Sequence, residues 1–153
     1  MKRNSRLSVA LHVLLHLSQR PDGAMTSTEM AVCAGTNPVV IRRAFAGLRE
    51  AGIVTSRKGH GGGWRLARPP SEVNLDQVQR ALGERVLAVT ALDESPGCLV
   101  ERAVHLAVDD AVTEAAHVLD RRLASITLAD LSAEVGNLTS VTVQTPGDIN
   151  DAV

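Results

Sequence analysis

Apolar residues recur at helical spacing along most of this chain, and one short stretch breaks that period. Between residues 7 and 17 the run Leu7, Val9, Ala10, Leu11, Val13, Leu14, Leu15, Leu17 predicts a first helix packed into a core. Pro21-Asp22-Gly23 predicts a turn. Thr26 and Glu29 have the spacing of a capping box, in which the hydroxyl accepts from the Glu29 amide and the carboxylate reaches back. The helix they start runs through Met30-Ala31-Val32-Cys33-Ala34 and ends at Gly35. After Thr36, Asn37 can cap a further helix, with Pro38 at its first position. Val40, Ile41, Ala44, Phe45 and Leu48 then form one apolar face, and Arg42, Arg43 and Arg49 lie off it. Gly52 stops this helix. Residues 53–58 read as a strand, Gly59-His60-Gly61-Gly62-Gly63 as a flexible tip, and Trp64-Arg65-Leu66 as the returning strand. Helix, short turn, helix and basic hairpin predict a winged helix-turn-helix, with one helix suited to a major groove and a wing beside it.

The second half is built differently. Asn74 and Gln77 form another capping pattern, and Val78, Ala81 and Leu82 predict a short helix under the winged domain. Residues 85–92 are open between strand and linker, and Asp93-Glu94-Ser95-Pro96-Gly97 is a break. A long helix is predicted over 98–126, where Val100, Ala103, Val104, Ala107, Val108, Ala111, Val112, Ala115, Val118, Leu119, Leu123 and Ile126 make a broad stripe. A stripe this wide needs a partner helix, either within the chain or across a two-fold dimer, which is the closed solution. The seam expected for a dimer is Val100, Val104, Ala107, Val108, Ala111, Val112, Ala115, Leu119 and Leu123. Thr127 to Leu131 would cap a terminal turn or a short helix, and residues 135–153, polar and without period, read as a disordered tail. The expected organisation is therefore a winged helix-turn-helix domain over 1–84, a linker over 85–97, a dimerisation helix with a terminal turn over 98–134, and the tail. The fold class is mainly α with a small β-hairpin wing.

Composition narrows the chemistry. With one Trp, one Phe and no Tyr, the core must come from aliphatic residues. The net charge of −1 argues against a polyanion partner, but its distribution argues for one. Residues 1–70 carry 11 Lys/Arg against 3 Asp/Glu, whereas residues 71–153 carry 5 against 14. Lys2, Arg3 and Arg6 before an apolar run imitate an export signal, but His12 and His16 interrupt the run and Arg20-Pro21-Asp22 is no small-residue cleavage site. The run is also too short to span a bilayer. Cys33 and Cys98 offer no disulfide framework, which favours a reducing cytoplasm. His12 and His16 have the i, i+4 spacing of metal ligands, but no nearby Cys or carboxylate completes a set, so no metal site is expected. No Ser/His/Asp set, carboxylate pair or phosphate loop marks an enzyme.

The stretch 26–82 resembles the bacterial Rrf (type two) transcriptional regulators. The likeness rests on Leu48-Arg49-Glu50-Ala51-Gly52-Ile53 at the end of the second helix of the motif. It rests also on Lys58-Gly59-His60-Gly61-Gly62-Gly63-Trp64-Arg65-Leu66 in the hairpin and on Pro69-Pro70 after it. The resemblance extends over about residues 5–134 and implies a homodimeric, sequence-specific DNA-binding regulator, most often a repressor, that dimerises through the long helix. By position it implies Val39, Arg42 and Arg43 at base edges, and Arg57, Lys58, His60, Gly61 and Gly62 on the backbone or in the minor groove. Thr28 and Asn37 are expected as phosphate anchors at helix starts. Cluster-binding members hold an iron–sulfur centre with three cysteines between the winged domain and the dimer helix, where this chain has only Cys98. No iron–sulfur cofactor is therefore expected. If Ser95 caps the long helix, Cys98 lies in its first turn, where free amides favour a thiolate and Asp93 and Glu94 oppose it. A thiol response through Cys98, or an unknown small-molecule signal, follows as an expectation. The competing function is a winged-helix module for protein–protein contact without DNA, which predicts no exposed cations on the second helix of the motif.

Overall fold

The structure, a computed structural model, describes residues 6–20, 23–83 and 98–142, with side chains through residue 138. Helix α1 (Arg6–Ser18) buries Val9, Ala10, Val13, Leu14 and Leu17 on one face. Helix α2 (Ser27–Cys33) starts at the expected capping box: the Thr26 Oγ1 accepts from the Glu29 amide at 3.2 Å, and Glu29 Oε2 accepts from the Thr26 amide at 2.7 Å. Helix α3 (Pro38–Glu50) buries Ile41, Ala44, Phe45 and Leu48, four of the five expected positions, with Val40 half-buried.

Gly52 ends α3 at φ 67°, a left-handed position that favours glycine. Its amide donates to the Arg49 carbonyl and the Ile53 amide to the Leu48 carbonyl, so two end carbonyls of the helix are satisfied as the chain turns. Strands β1 (Val54–Arg57) and β2 (Gly63–Leu66) follow, antiparallel, with Val54 opposite Leu66 and Arg57 opposite Gly63. A 3-10 turn (Pro70–Glu72) leads to helix α4 (Leu75–Ala81), capped reciprocally by Asn74 and Gln77. Helix α3 passes close to the end of α4: a Cβ on Gly47 would strike the backbone carbonyl of Ala81. Glycine is needed there for packing, although alanine is the better helix former.

Helix α5 (Leu99–Ala124) is long, and none of its residues is buried. Its first-turn Glu101 and last-turn Arg121 and Arg122 complement the helix dipole. Cys98 is itself the N-cap and the helix begins at Leu99, one residue after the expected start, so Cys98 caps α5 rather than lying in its first turn. Ser95 and the linker expected over 85–97 lie outside the described residues. Along the stripe Val100 is 73%, Val104 54% and Val108 44% exposed. Ala107, Ala111 and Ala115 are exposed and Val112, Leu119 and Leu123 half-buried. Helix α4 packs against the C-terminal part of α5, whereas among the described residues no helix covers the stripe from Val100 to Val108. One tie to the winged domain is Gln79 Nε2 donating to Asp120 Oδ1 at 3.0 Å.

Two expectations about the C-terminal segment are corrected. Helix α6 (Leu128–Thr142) takes the helical alternative at this position and runs further than expected, so residues 135–142 are helical rather than part of a tail. Leu128, Leu131, Val135 and Leu138 lie three and four apart, a period hidden in the sequence by Asp, Ser, Glu, Gly and Asn between them. Residues 143–153 lie outside the described part. The start of α6 also returns to the winged domain instead of extending the dimer segment. Leu128 is fully buried in the common core, its amide donates to the Val73 carbonyl, and the Leu75 amide donates to the Ile126 carbonyl. Ser18 and Ser132 hydroxyls lie 2.9 Å apart, joining α1 to α6. Among the described residues, no helix is long and apolar enough to cross a membrane.

Candidate nucleic-acid interface

The helix that would read DNA is held from beneath by the core and left open above. Arg42 and Arg43 project from α3 opposite its buried face, both are exposed, and neither forms an ion pair among the described residues. Val39 is 46% exposed one turn earlier, so an apolar contact to a thymine methyl is open to it. Asn37 is the N-cap: its Oδ1 accepts from the Val39 amide at 2.8 Å and the Val40 amide at 3.2 Å. The side-chain oxygen and these two helix-start amides are thus occupied with each other, which leaves the Asn37 NH₂ as its group for a phosphate. Thr28 is exposed on α2, near its start.

The wing is set by contacts that span the sequence. Met25 and Trp64 exchange backbone hydrogen bonds (2.8 and 3.1 Å), so the segment before α2 pairs with β2. Trp64 Nε1 donates to the Ser27 Oγ at 3.0 Å, and its ring meets Phe45 edge-on at 5.4 Å between centroids. Arg68 Nε donates to the Gly52 carbonyl at 3.1 Å, fixing the wing base to the end of α3. Trp64 and Arg68 therefore position the wing, a role the sequence pattern did not assign to them. A buried aromatic in a hairpin was the signal available for Trp64.

At the tip, Gly59, Gly61 and Gly63 have φ of 94°, 71° and 136°. A Cβ on Gly62 would meet the Arg57 carbonyl oxygen at 2.5 Å, so the turn closes only around a residue without one. Arg57, Lys58 and His60 are exposed around this turn. The structure thus places all ten expected DNA-facing residues on α2, α3 and the wing, with most side chains exposed and Gly62 half-buried.

Away from this surface, Cys98 is exposed at the head of α5. The amides of Glu101 and then Val100 hold its thiol below the ordinary value, although no side-chain capping hydrogen bond forms. Cys33 is half-buried at the end of α2, and its Sγ lies 3.4 Å from His12 Nε2. The expectation that no cysteine joins the histidine pair is corrected here, because packing of α2 against α1 brings one in from another helix.

A helix-turn-helix with an exposed cationic second helix and an anchored glycine wing defines the class, a winged-helix DNA-binding protein. A family model described as "Rrf2: Iron-dependent Transcriptional regulator" matches residues 3–134, and the chain belongs to that family of DNA-binding transcriptional regulators. It is 35% identical over 130 residues to the "Putative HTH-type transcriptional regulator YwnA" of Bacillus subtilis (strain 168), covering 84% of this chain and 95% of that protein. A solved structure described as "a putative DNA binding protein" is 32% identical with a TM-score of 0.67, covering 83% of this chain and 98% of that one. CymR (YrzC), the global cysteine regulator of B. subtilis, shares the fold at 24% identity and a TM-score of 0.59, over 88% and 98% of the two chains. These relatives are regulators, not enzymes.

The iron in the family's description finds no cluster site of the three-cysteine kind here. The chain has two cysteines, one capping α5 and the other packed against His12 between α1 and α2. That donor set does not fit an iron–sulfur cluster between the winged domain and α5.

Proposed function

We propose that the chain acts in the cytoplasm as a homodimeric repressor that reads one half-site with each winged domain. The observation that carries the reading is the pair Arg42 and Arg43, exposed on the open side of α3 and without an ion pair among the described residues, beside a wing tip with Arg57, Lys58 and His60. A protein–protein module would have no use for so cationic a face. The open stripe of α5 supports the dimer, since a second copy related by a two-fold axis would supply the covering helix that the described residues lack.

Fluorescence anisotropy on the DNA upstream of its own gene, beside a scrambled duplex at the same salt, tests this. Selective binding supports an operator there, and equal binding to both removes it. Arg43→Ala is expected to lose base preference worth about 1–3 kcal/mol at its position. Lys58→Ala is expected to weaken binding to every sequence and reduce the salt slope by about 1. Equal loss on specific and random DNA for Arg43→Ala would remove it from the base-reading set.

The signal proposed is an oxidant acting at Cys98. Attack of its thiolate on a peroxide yields a sulfenic acid and releases hydroxide, at the helix that joins the two reading heads. Cys98→Ser is expected to bind DNA as the parent does and to ignore peroxide. A full oxidant response in that variant, which keeps Cys33, would reject Cys98 as the sensor and leave a small ligand as the signal to seek.

A further inference from the structure

His12, His16 and Cys33 come together at the junction of α1 and α2. Each offers one donor atom, and the three donors lie within 4.8 Å of one another. The histidines are four apart on α1, so both rings leave the helix on one side, with centroids 4.9 Å apart. Cys33 is the last residue of α2 and faces them from the other helix.

We infer that this triad is a binding site for one thiophilic divalent transition-metal ion, of which Zn²⁺ is the representative. Zn–N bonds of about 2.0–2.1 Å and a Zn–S bond of about 2.3 Å place neighbouring donors of a tetrahedral ion about 3.3–3.6 Å apart. The Cys33 Sγ to His12 Nε2 distance of 3.4 Å already has that value. Closing the remaining gap takes about 1 Å at His16, within the reach of a side-chain torsion. Two imidazoles and a thiolate with no carboxylate exclude the hard cations Ca²⁺ and Mg²⁺, which take oxygen donors.

The protein supplies three ligands, and the fourth position is left to water or a small ligand. His12 is exposed and gives the ion an entrance, while Cys33 and His16 are half-buried and hold the floor. As Sγ binds the ion, its proton passes to solvent. The ion then bridges two helices that already share the core and are joined here by the thiol–imidazole contact. It fastens α2, only seven residues long, to α1.

Titration of the reduced, full-length, DNA-free protein with Co²⁺, followed by displacement with Zn²⁺, tests the site without reference to operator binding. A thiolate-to-cobalt charge-transfer band that saturates at one ion per chain and is erased by Zn²⁺ is expected, and Cys98→Ser should keep it. Cys33→Ser should lose the band. His12→Ala, at an exposed position that leaves the helix intact by circular dichroism, should weaken the ion by more than about tenfold. Absence of the band, its survival in Cys33→Ser, or unchanged affinity in His12→Ala would overturn the site.

Discussion

Exchanging Val104 and Val108 together for glutamate is expected, if the proposed dimer forms through α5, to leave a folded monomer whose affinity for its operator is lower by about 10²–10⁴-fold, the range lost when two linked binding modules act singly. Both residues are exposed on α5 and absent from the core, so the winged domain loses no packing when they change. In a dimer the same positions would lie on a helix–helix seam, where buried unpaired carboxylates are costly. Sedimentation equilibrium reads the oligomeric state, and circular dichroism confirms that the helices persist. A double variant that remains a dimer would move the interface off this stripe.

Trp64→Ala is expected to cost about 3–5 kcal/mol of stability, the range for removing a large aromatic from a core. Trp64 is 9% exposed and sits where three elements meet. Its backbone pairs with Met25, its indole N–H reaches Ser27 at the start of α2, and its ring edge meets Phe45 of α3. Losing the ring therefore loosens the wing and the helix-turn-helix together. Trp64→Phe keeps most of the apolar contact and should cost less, leaving the Ser27 hydroxyl without its donor at about 1 kcal/mol. Urea unfolding measures both. An alanine variant within experimental error of the parent would show that the wing is not keyed to the core through this residue.

These two residues sets differ in how far the chain's own pattern reveals them. The stripe of α5 is legible because a helix repeats its face every three or four residues, and that period is written locally. The same holds for the caps at Thr26, Asn37 and Asn74 and for the stop at Gly52, each of which satisfies backbone groups only a few residues away. The arginines of α3 were legible as cations off an apolar face. The period of α6 was obscured because four apolar positions among small polar residues carry a weak signal, and its burial is limited, with Leu138 64% exposed.

From sequence alone come the winged helix-turn-helix, its cationic face and the family, because these depend on spacings within one or two turns of chain. Tertiary structure decided three further points. Cys33 joins His12 and His16, Leu128 closes the core of a domain that begins more than a hundred residues earlier, and Trp64 keys the wing to α2. Each is a contact between residues remote along the chain. Sequence periodicity tells which face of a helix is buried, whereas the partner that buries it is chosen only when all the faces pack at once.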